Sequence, residues 1–217
     1  MTVPDAPLSA MALPSGSLPA ALRLVYVVDV RDARRGERID AVLSAGVTCL
    51  WLRSPESTGR ELYDAAGALV LRCRRLGAAL LVGDRVDVAL AVGADGVQLG
   101  SRGVPARAVR PWYRGWMGVS CHTAEELLAA EAAGADHVVL SPVYGVPQKG
   151  QPLGVERFAA LVAGVSVPVV ALGGIDASNA DAVRVAGASG VAVIRAIRDA
   201  EDPAAAARGL AGAVTSP

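Results

Sequence analysis

Short runs of apolar, often β-branched residues recur along the chain, and longer segments that mix alanine, leucine and charged residues separate them. Continuous apolar runs of this length are typical of parallel strands that are buried on both faces, and the mixed segments are typical of the helices that cover them. Strands and helices alternate singly, without a break in composition. The eight predicted strands lie near residues 24–29, 48–52, 79–82, 97–99, 117–120, 138–140, 167–172 and 190–194.

Four of the junctions between a helix and the next strand share one pattern. An alanine-rich helix end is followed by a glycine and then by an apolar strand, as at residues 92–99 and 133–140. Glycine suits these places because it readily adopts the left-handed conformation that commonly ends a helix. The repeat predicts a single-domain α/β fold, the (βα)8 TIM barrel, over residues 23–214. An open, doubly wound sheet is the alternative.

The composition limits the kinds of function. The 217 residues carry 21 cationic and 21 acidic side chains, so the formal net charge is zero, and neither nucleic acid nor a membrane is a predicted partner. Three separate cysteines without a C-x-x-C pattern suit the reducing cytoplasm rather than a disulfide framework or zinc site. Residues 1–22, rich in Ala, Pro and Ser, and residues 215–217 are predicted to be flexible tails. A homo-oligomeric state is left open.

The seventh and eighth predicted strands end in features that suit a phosphate group. Gly173 and Gly174 follow the seventh strand, and Ile194 and Arg195 follow the eighth. Unhindered backbone N–H groups and a helix start favour an anion, and eight-stranded barrels frequently bind phosphate after these two strands. The alternative is that the two glycines only make a tight turn.

Cationic residues follow several of the strands, so one end of the barrel should carry a positive field although the chain is neutral. Such a field favours a small anionic substrate. The loop at residues 141–150 is the longest and holds the only lysine, so it is predicted to be a mobile lid. Taken singly, each cation could instead be a solvated surface charge. These cations are Arg53, Arg85, Arg102, Lys149 and Arg195.

His122 directly follows the fifth strand and is the candidate catalytic acid or base, because imidazole titrates near neutral pH. The alternative is a role in capping the helix that begins at Thr123. His137, at the opposite end of the barrel, is assigned to structure. One carboxylate, Asp84, is a weak metal site by itself, so no metal ligand is assigned. The predicted substrate-binding residues are Arg53, Asp84, Ser120 and Lys149.

An ordered set of motifs resembles the thiamine phosphate synthase/TenI family of (βα)8 barrels over roughly residues 24–214. The resemblance implies one of two chemistries. Synthases join a hydroxymethylpyrimidine diphosphate to a thiazole phosphate, with Mg²⁺ and release of pyrophosphate. TenI proteins aromatise a carboxythiazole phosphate by a proton shift without a metal. The motifs lie at residues 83–87, 93–100, 118–126, 133–136, 142–149, 173–175 and 190–193.

Several positions depart from the synthase motifs where the diphosphate is expected to bind. A glutamine, a lysine, a second metal carboxylate, two threonines and a serine of the family are absent, whereas the phosphate site and the histidine remain. The residues that stand in their places are Trp51, Pro55, Gly103, Val146, Gln148 and Arg195. Trp51 either stacks on a heteroaromatic ring or fills the barrel mouth.

These departures favour a TenI-like thiazole tautomerase of thiamin biosynthesis that needs no cofactor. In this hypothesis His122 is the catalytic base, and Gly173, Gly174, Ile194 and Arg195 bind the thiazole phosphate. One alternative is a divergent, Mg²⁺-dependent synthase that relies on arginines and Asp84. A second alternative is a non-catalytic barrel that binds a thiazole or thiamin phosphate.

Overall fold

The computed structural model describes residues 17–147 and 150–215. Eight strands alternate with helices along this part of the chain. The strands are β1 Leu24–Val28, β2 Cys49–Leu52, β3 Ala79–Gly83, β4 Gly96–Leu99, β5 Trp116–Cys121, β6 His137–Leu140, β7 Val169–Leu172 and β8 Gly190–Val193. The helices are α1 Leu18–Ala21, α2 Val30–Ala33, α3 Gly36–Ser44, α4 Gly59–Leu76, α5 Val86–Val92, α6 Ala106–Val109, α7 Ala124–Ala132, α8 Gly154–Val162, α9 Ala180–Val185, α10 Arg195–Arg198 and α11 Pro203–Thr215.

The strands form a closed barrel in sequence order, and every neighbouring pair is parallel. The barrel closes where β8 pairs with β1, with Leu24 opposite Val191 and Tyr26 opposite Val193. The predicted (βα)8 TIM barrel is therefore confirmed, and the open doubly wound sheet is wrong. Closure places all loops that follow the strands on one face, which positions the candidate site.

Two apolar clusters hold the barrel together. The larger one joins the outward side chains of the strands to the covering helices. The smaller one fills the barrel interior and consists mainly of alternate strand residues, among them Val25, Trp51, Leu81 and Val139. Because successive side chains of a strand point to opposite faces, strands buried on both faces read as unbroken apolar runs.

Polar residues fix the ends of several helices. Thr58 begins α4 with a capping box, in which its hydroxyl accepts from the Glu61 N–H and the Glu61 carboxylate accepts from the Thr58 N–H. The Asp202 carboxylate accepts from the N–H groups of Ala204 and Ala205 at the start of α11. Caps of this kind satisfy N–H groups that have no partner within the helix.

The predicted tails overlap in part with ordered chain. Residues 1–16 and 216–217 lie outside the described residues, as do Gln148 and Lys149 of the predicted lid. Residues 18–21 form α1, and Leu22 is 1% exposed and packs in the interior cluster. The described chain thus contains a helix before the predicted boundary at residue 23. Within the described ranges, no helix has the length and apolar character needed to cross a membrane.

Candidate active site

The loops that follow β6, β7 and β8 surround a cavity of about 520 Å³. All four predicted phosphate-binding residues line it, so the structure brings Gly173 and Gly174 together with Ile194 and Arg195. The opposite wall comes from the loop after β6. Residues of that loop and of the strand ends that line the cavity include Ser141, Pro142, Gly145, Val146 and Leu172.

Backbone donors are available along this wall. In the described ranges 17–147 and 150–215, no acceptor meets the N–H groups of Gly173, Gly174 and Ile194, nor that of Arg195 at the first position of α10. Unpaired backbone N–H groups are rare unless water or a ligand reaches them. An anion that binds here would receive several hydrogen bonds without displacing any described protein partner.

Gly173 and Gly174 are required by their backbone conformation and by close packing against the loop after β6, and not only by a tight turn. Gly173 has a φ of 107°, and a Cβ there would lie 2.8 Å from the Pro142 Cα. Gly174 has a φ of 65°, and its Cβ would lie 2.7 Å from the Tyr144 Cβ. A side chain at either position would therefore be costly, because the backbone conformation suits glycine and the space is already occupied. The glycines therefore let the β6 and β7 loops pack together beside the cavity.

Hydrogen bonds tie these two loops to each other. The N–H groups of Val143 and Tyr144 donate to the carbonyl oxygens of Leu172 and Gly173, at 3.0 and 2.9 Å. The Asn179 side chain donates to the Gly174 carbonyl at 3.0 Å. The carbonyls of this turn are thus occupied by protein donors, whereas its N–H groups stay available.

Of the residues that the structure describes, Asp176 and Arg195 are the charged groups that line the cavity, and an anion is favoured only on the side of Arg195. This side chain is exposed, and it forms no ion pair with another residue of the described chain. Asp176 also lines the cavity, but its carboxylate accepts from the hydroxyl and the N–H of Ser178. These hydrogen bonds hold the pKa of Asp176 below its usual value, so it is anionic at neutral pH.

Arg53 lines a second cavity of about 550 Å³ rather than the first. Ile194 borders both cavities, so they are neighbours on the same face of the barrel. The second cavity is also lined by Ser54, Arg34 and Arg198. Of the other predicted mouth cations, Arg85 forms a bidentate ion pair with the Asp87 carboxylate and adds little free charge, and Arg102 is exposed.

Asp84 has a strained backbone at the end of β3. Its φ of 57° is in the left-handed region, which is uncommon for residues other than glycine. One carboxylate oxygen accepts from the Gly100 N–H at 2.7 Å. A Cβ at Gly103 would lie 2.4 Å from this same oxygen, so the Asp84 carboxylate occupies the space that a side chain at 103 would need.

The fit of Mg²⁺ depends on this single carboxylate. Among the described residues, no group of three or more His, Cys, Asp or Glu side chains is placed to hold a metal ion. Mg²⁺ commonly uses one or two carboxylates together with phosphate oxygens of a substrate and water. The second oxygen of Asp84 has no partner in the described chain. The site therefore suits Mg²⁺ that is also bound to a phosphorylated substrate, but not Mg²⁺ held by protein alone.

His122 is exposed at the end of β5, and its imidazole makes no hydrogen bond within the described residues. It does not cap α7. Thr123 does so by accepting from the Glu126 N–H, while the Glu126 carboxylate accepts from the His122 backbone N–H. The predicted catalytic role of His122 stays a prediction, since neither cavity is lined by this residue.

Ser120 belongs to a polar chain that sequence reasoning missed. Gln98 inside the barrel donates to the Ser120 hydroxyl and contacts the His137 imidazole. The structural role expected for His137 is consistent with this contact. The only sequence signal is Gly118, which leaves room for the contact. Trp51 is 5% exposed and packs in the interior cluster, as expected for a residue that fills the barrel mouth.

A family model described as "Thiamine monophosphate synthase" matches residues 24–197. This chain belongs to the thiamine monophosphate synthase family. A thiamine-phosphate synthase from Roseiflexus sp. is 39% identical over 208 residues, which are 91% of this chain and 88% of the relative. A second one, from Moorella thermoacetica, is 40% identical over 184 residues and covers 82% of this chain and 88% of the relative.

A solved structure is similar along nearly the whole barrel. The thiamine phosphate pyrophosphorylase from Pyrococcus furiosus superposes with a TM-score of 0.84 and 36% identity, and the match covers 91% of this chain and 98% of that one. The family resemblance is confirmed. The expected TenI-like tautomerase is wrong, because these relatives in the thiamine monophosphate synthase family are named synthase or pyrophosphorylase. The departures at Trp51, Gly103 and Arg195 are therefore not sufficient evidence for a tautomerase.

Proposed function

We propose that this protein is a thiamine-phosphate synthase. It joins the hydroxymethylpyrimidine group of a diphosphate to the ring nitrogen of a thiazole phosphate and releases pyrophosphate. The observation that carries the proposal is the similarity to named synthases along most of the chain. The cavity beside Gly173 and Gly174 supports it, because its free N–H groups suit the phosphate of one substrate.

The reaction needs no proton to be removed from the thiazole. The ring nitrogen attacks the methylene carbon of the pyrimidine with its lone pair, and a C–N bond forms. The bond between that carbon and the diphosphate oxygen breaks, and its electron pair leaves with the diphosphate. The protein must therefore hold two anions close together and stabilise the charge that develops on the leaving group.

The thiazole phosphate is proposed to bind in the first cavity. The N–H groups of Gly173, Gly174 and Ile194 donate to its oxygens, and Arg195 supplies the positive charge. In this reading Arg195 replaces the serine hydroxyl of related motifs by a guanidinium. A guanidinium hydrogen bond to phosphate is stronger than that of a neutral hydroxyl, so the substitution preserves phosphate binding.

Cationic groups at neighbouring strand ends are proposed to hold the diphosphate. Arg53 approaches from the side of the second cavity, Ser120 offers a hydroxyl, and Lys149, which lies outside the described residues, is the predicted lid cation. Asp84 would hold Mg²⁺ together with the diphosphate. When bound, Mg²⁺ neutralises charge on the leaving group. The proposed partners are thus small anionic phosphates.

The test is to incubate the purified protein with both substrates and MgCl₂ and to follow thiamine phosphate by chromatography. We expect product only when both substrates are present, and we expect EDTA to stop its formation. As a control, the Arg114→Ala variant should form product as the wild type does. This substitution removes an exposed arginine from the loop before β5, at the opposite end of the barrel. Product that forms equally well in EDTA, or no product at any Mg²⁺ concentration, would contradict the proposal.

A further inference from the structure

A chain of three polar side chains crosses the otherwise apolar interior of the barrel. Gln98 on β4 is 1% exposed and His137 on β6 is 0% exposed. The Gln98 Oε1 lies 3.0 Å from the His137 Nε2, and the Gln98 Nε2 donates to the Ser120 Oγ at 3.2 Å. Buried polar groups are costly unless they are hydrogen-bonded, so this chain is a specific feature of the interior.

Gly118 makes the chain possible. It lies on β5, between the strands that carry Gln98 and His137. A Cβ at this position would lie 2.2 Å from the Gln98 Oε1 and 2.2 Å from the His137 Nε2. Any other residue would therefore occupy the space in which the two side chains meet.

The donors and acceptors of the chain have one consistent direction. With the Gln98 oxygen placed toward the imidazole, His137 donates from Nε2, and this tautomer leaves its buried Nδ1, which has no partner among the described residues, as an acceptor rather than as an unpaired N–H. Burial lowers the pKa of His137 to about 4, so the ring is neutral at physiological pH. Gln98 in turn uses its N–H to donate to Ser120, whose oxygen thereby acts as the acceptor.

This direction leaves the Ser120 hydrogen available. No acceptor for the Ser120 O–H is present in the described part of the chain. Ser120 is half-buried near the end of β5, on the face of the barrel that carries the candidate active site. Its hydroxyl is therefore an available donor near this end of the barrel, although Ser120 lines neither of the two cavities.

We propose that Gln98 and His137 are positioning residues that orient the Ser120 hydroxyl to donate to a phosphoryl oxygen of the bound diphosphate. The inference rests on the proposed function. It adds two residues that contact no substrate themselves, and it assigns the direction of a hydrogen bond to a third. His137 holds the Gln98 carboxamide, and Gln98 in turn prevents Ser120 from donating back into the barrel.

The test compares KM for the diphosphate and kcat among the wild type, Ser120→Ala, Gln98→Met and the double variant. We expect each single variant to raise KM about tenfold, as for loss of one hydrogen bond to a charged group. The double variant should match the single variants, because both remove the same contact. Ser120→Thr keeps the hydroxyl and should restore KM to near the wild-type value.

Two further variants separate positioning from a loss of stability. Val170→Ala removes buried volume inside the barrel without touching the polar chain, and it should leave KM unchanged. His137→Phe removes the imidazole that contacts Gln98. This variant replaces Gln98→Met in the comparison if Gln98→Met does not fold. Independent effects of Ser120→Ala and Gln98→Met that add up in the double variant would overturn the inference. An unchanged KM in either single variant would also overturn it.

Failure of the inference can be distinguished from failure of the proposed function. Wild-type synthase activity with an unchanged KM in the variants leaves the function standing and overturns the inference. If the wild type makes no thiamine phosphate, the proposed function fails. Calorimetric titration of the same proteins with pyrophosphate and Mg²⁺ then decides the inference. A shared, non-additive tenfold weakening supports it, and equal affinities or no binding by the wild type overturn it.

Discussion

Replacing Gly173 by alanine should damage both the stability of the barrel and its phosphate site. The φ of 107° at this residue is unfavourable for any L-amino acid, and a strained backbone conformation costs about 1–3 kcal/mol. The new Cβ would also lie 2.8 Å from both the Cα and the Cβ of Pro142. Carbon atoms normally approach to about 3.5–4.0 Å, so the two loops must move apart.

The two penalties together give the expected size of the effect. Overpacking of this kind typically costs about 1–3 kcal/mol, so the total is about 2–6 kcal/mol. For a chain of this length, each kcal/mol lowers the melting temperature by about 2–4 °C. The Gly173→Ala variant should therefore melt roughly 10 °C below the wild type. Because Pro142 and Gly173 line the same cavity, affinity for the thiazole phosphate should fall as well.

Circular dichroism during heating measures the first effect, and calorimetric titration with the thiazole phosphate measures the second. Gly67→Ala is the matched control, since it lies in α4 and its new Cβ would have no neighbour within 4 Å. Alanine is favoured over glycine in a helix by about 0.5–1 kcal/mol, so this variant should be as stable as the wild type or slightly more so. A Gly173→Ala protein that melts within about 2 °C of the wild type would show that neither the backbone strain nor the close contact is costly.

Three further predictions follow from the charged and titratable groups. Arg195→Ala should raise KM for the thiazole phosphate about tenfold with little change in melting temperature, because one exposed, charge-assisted hydrogen bond is lost; steady-state kinetics measures this, and an unchanged KM would remove Arg195 from the site. Asp84→Asn should keep the fold, since an amide oxygen can still accept from the Gly100 N–H, but it should require about tenfold more Mg²⁺ for half-maximal activity; a Mg²⁺ titration identical to that of the wild type would contradict this role. The pKa of His137 is 6.5 in the unfolded chain and about 4 in the folded protein, so the unfolded chain binds a proton at higher pH than the folded one. Stability should therefore fall as the pH drops below 6.5. The loss should be complete below pH 4 and amount to about 3 kcal/mol. Urea denaturation at pH 7 and pH 4.5 should show a smaller loss in His137→Gln than in the wild type, and equal losses would count against the low pKa.

The regular parts of the fold could be predicted because each of them repeats a pattern. The α4 helix at Gly59–Leu76 begins at the Thr58 capping box, and both α4 and the α5 helix at Val86–Val92 end at a glycine in the left-handed conformation, as the repeated glycine pattern predicts for helix ends. The four-residue helices α1 and α10 were missed, because so short a helix has no periodicity that could be read. The α6 helix, Ala106–Val109, is equally short.

The candidate site was less predictable, because its geometry depends on contacts between distant residues. The phosphate loops could be located from adjacent glycines and strand ends. The contact between Gln98 and His137 joins residues 39 positions apart, and its only trace in the sequence is the glycine at 118. The choice between tautomerase and synthase went wrong for a related reason. The sequence shows which side chains of the synthase motifs are absent, and the set as a whole favours a tautomerase, but it does not show which neighbouring groups can take their place.

The most direct test of the proposed synthase activity compares the two candidate reactions in one preparation of the wild-type protein. The rate of thiamine phosphate formation is measured with Mg²⁺ and both substrates, along with pyrophosphate release, and conversion of the carboxythiazole phosphate is measured separately in EDTA. We expect equal amounts of thiamine phosphate and pyrophosphate over many turnovers, and no coupling in EDTA. Metal-independent conversion of the carboxythiazole phosphate, with no thiamine phosphate formed under any condition, would contradict it.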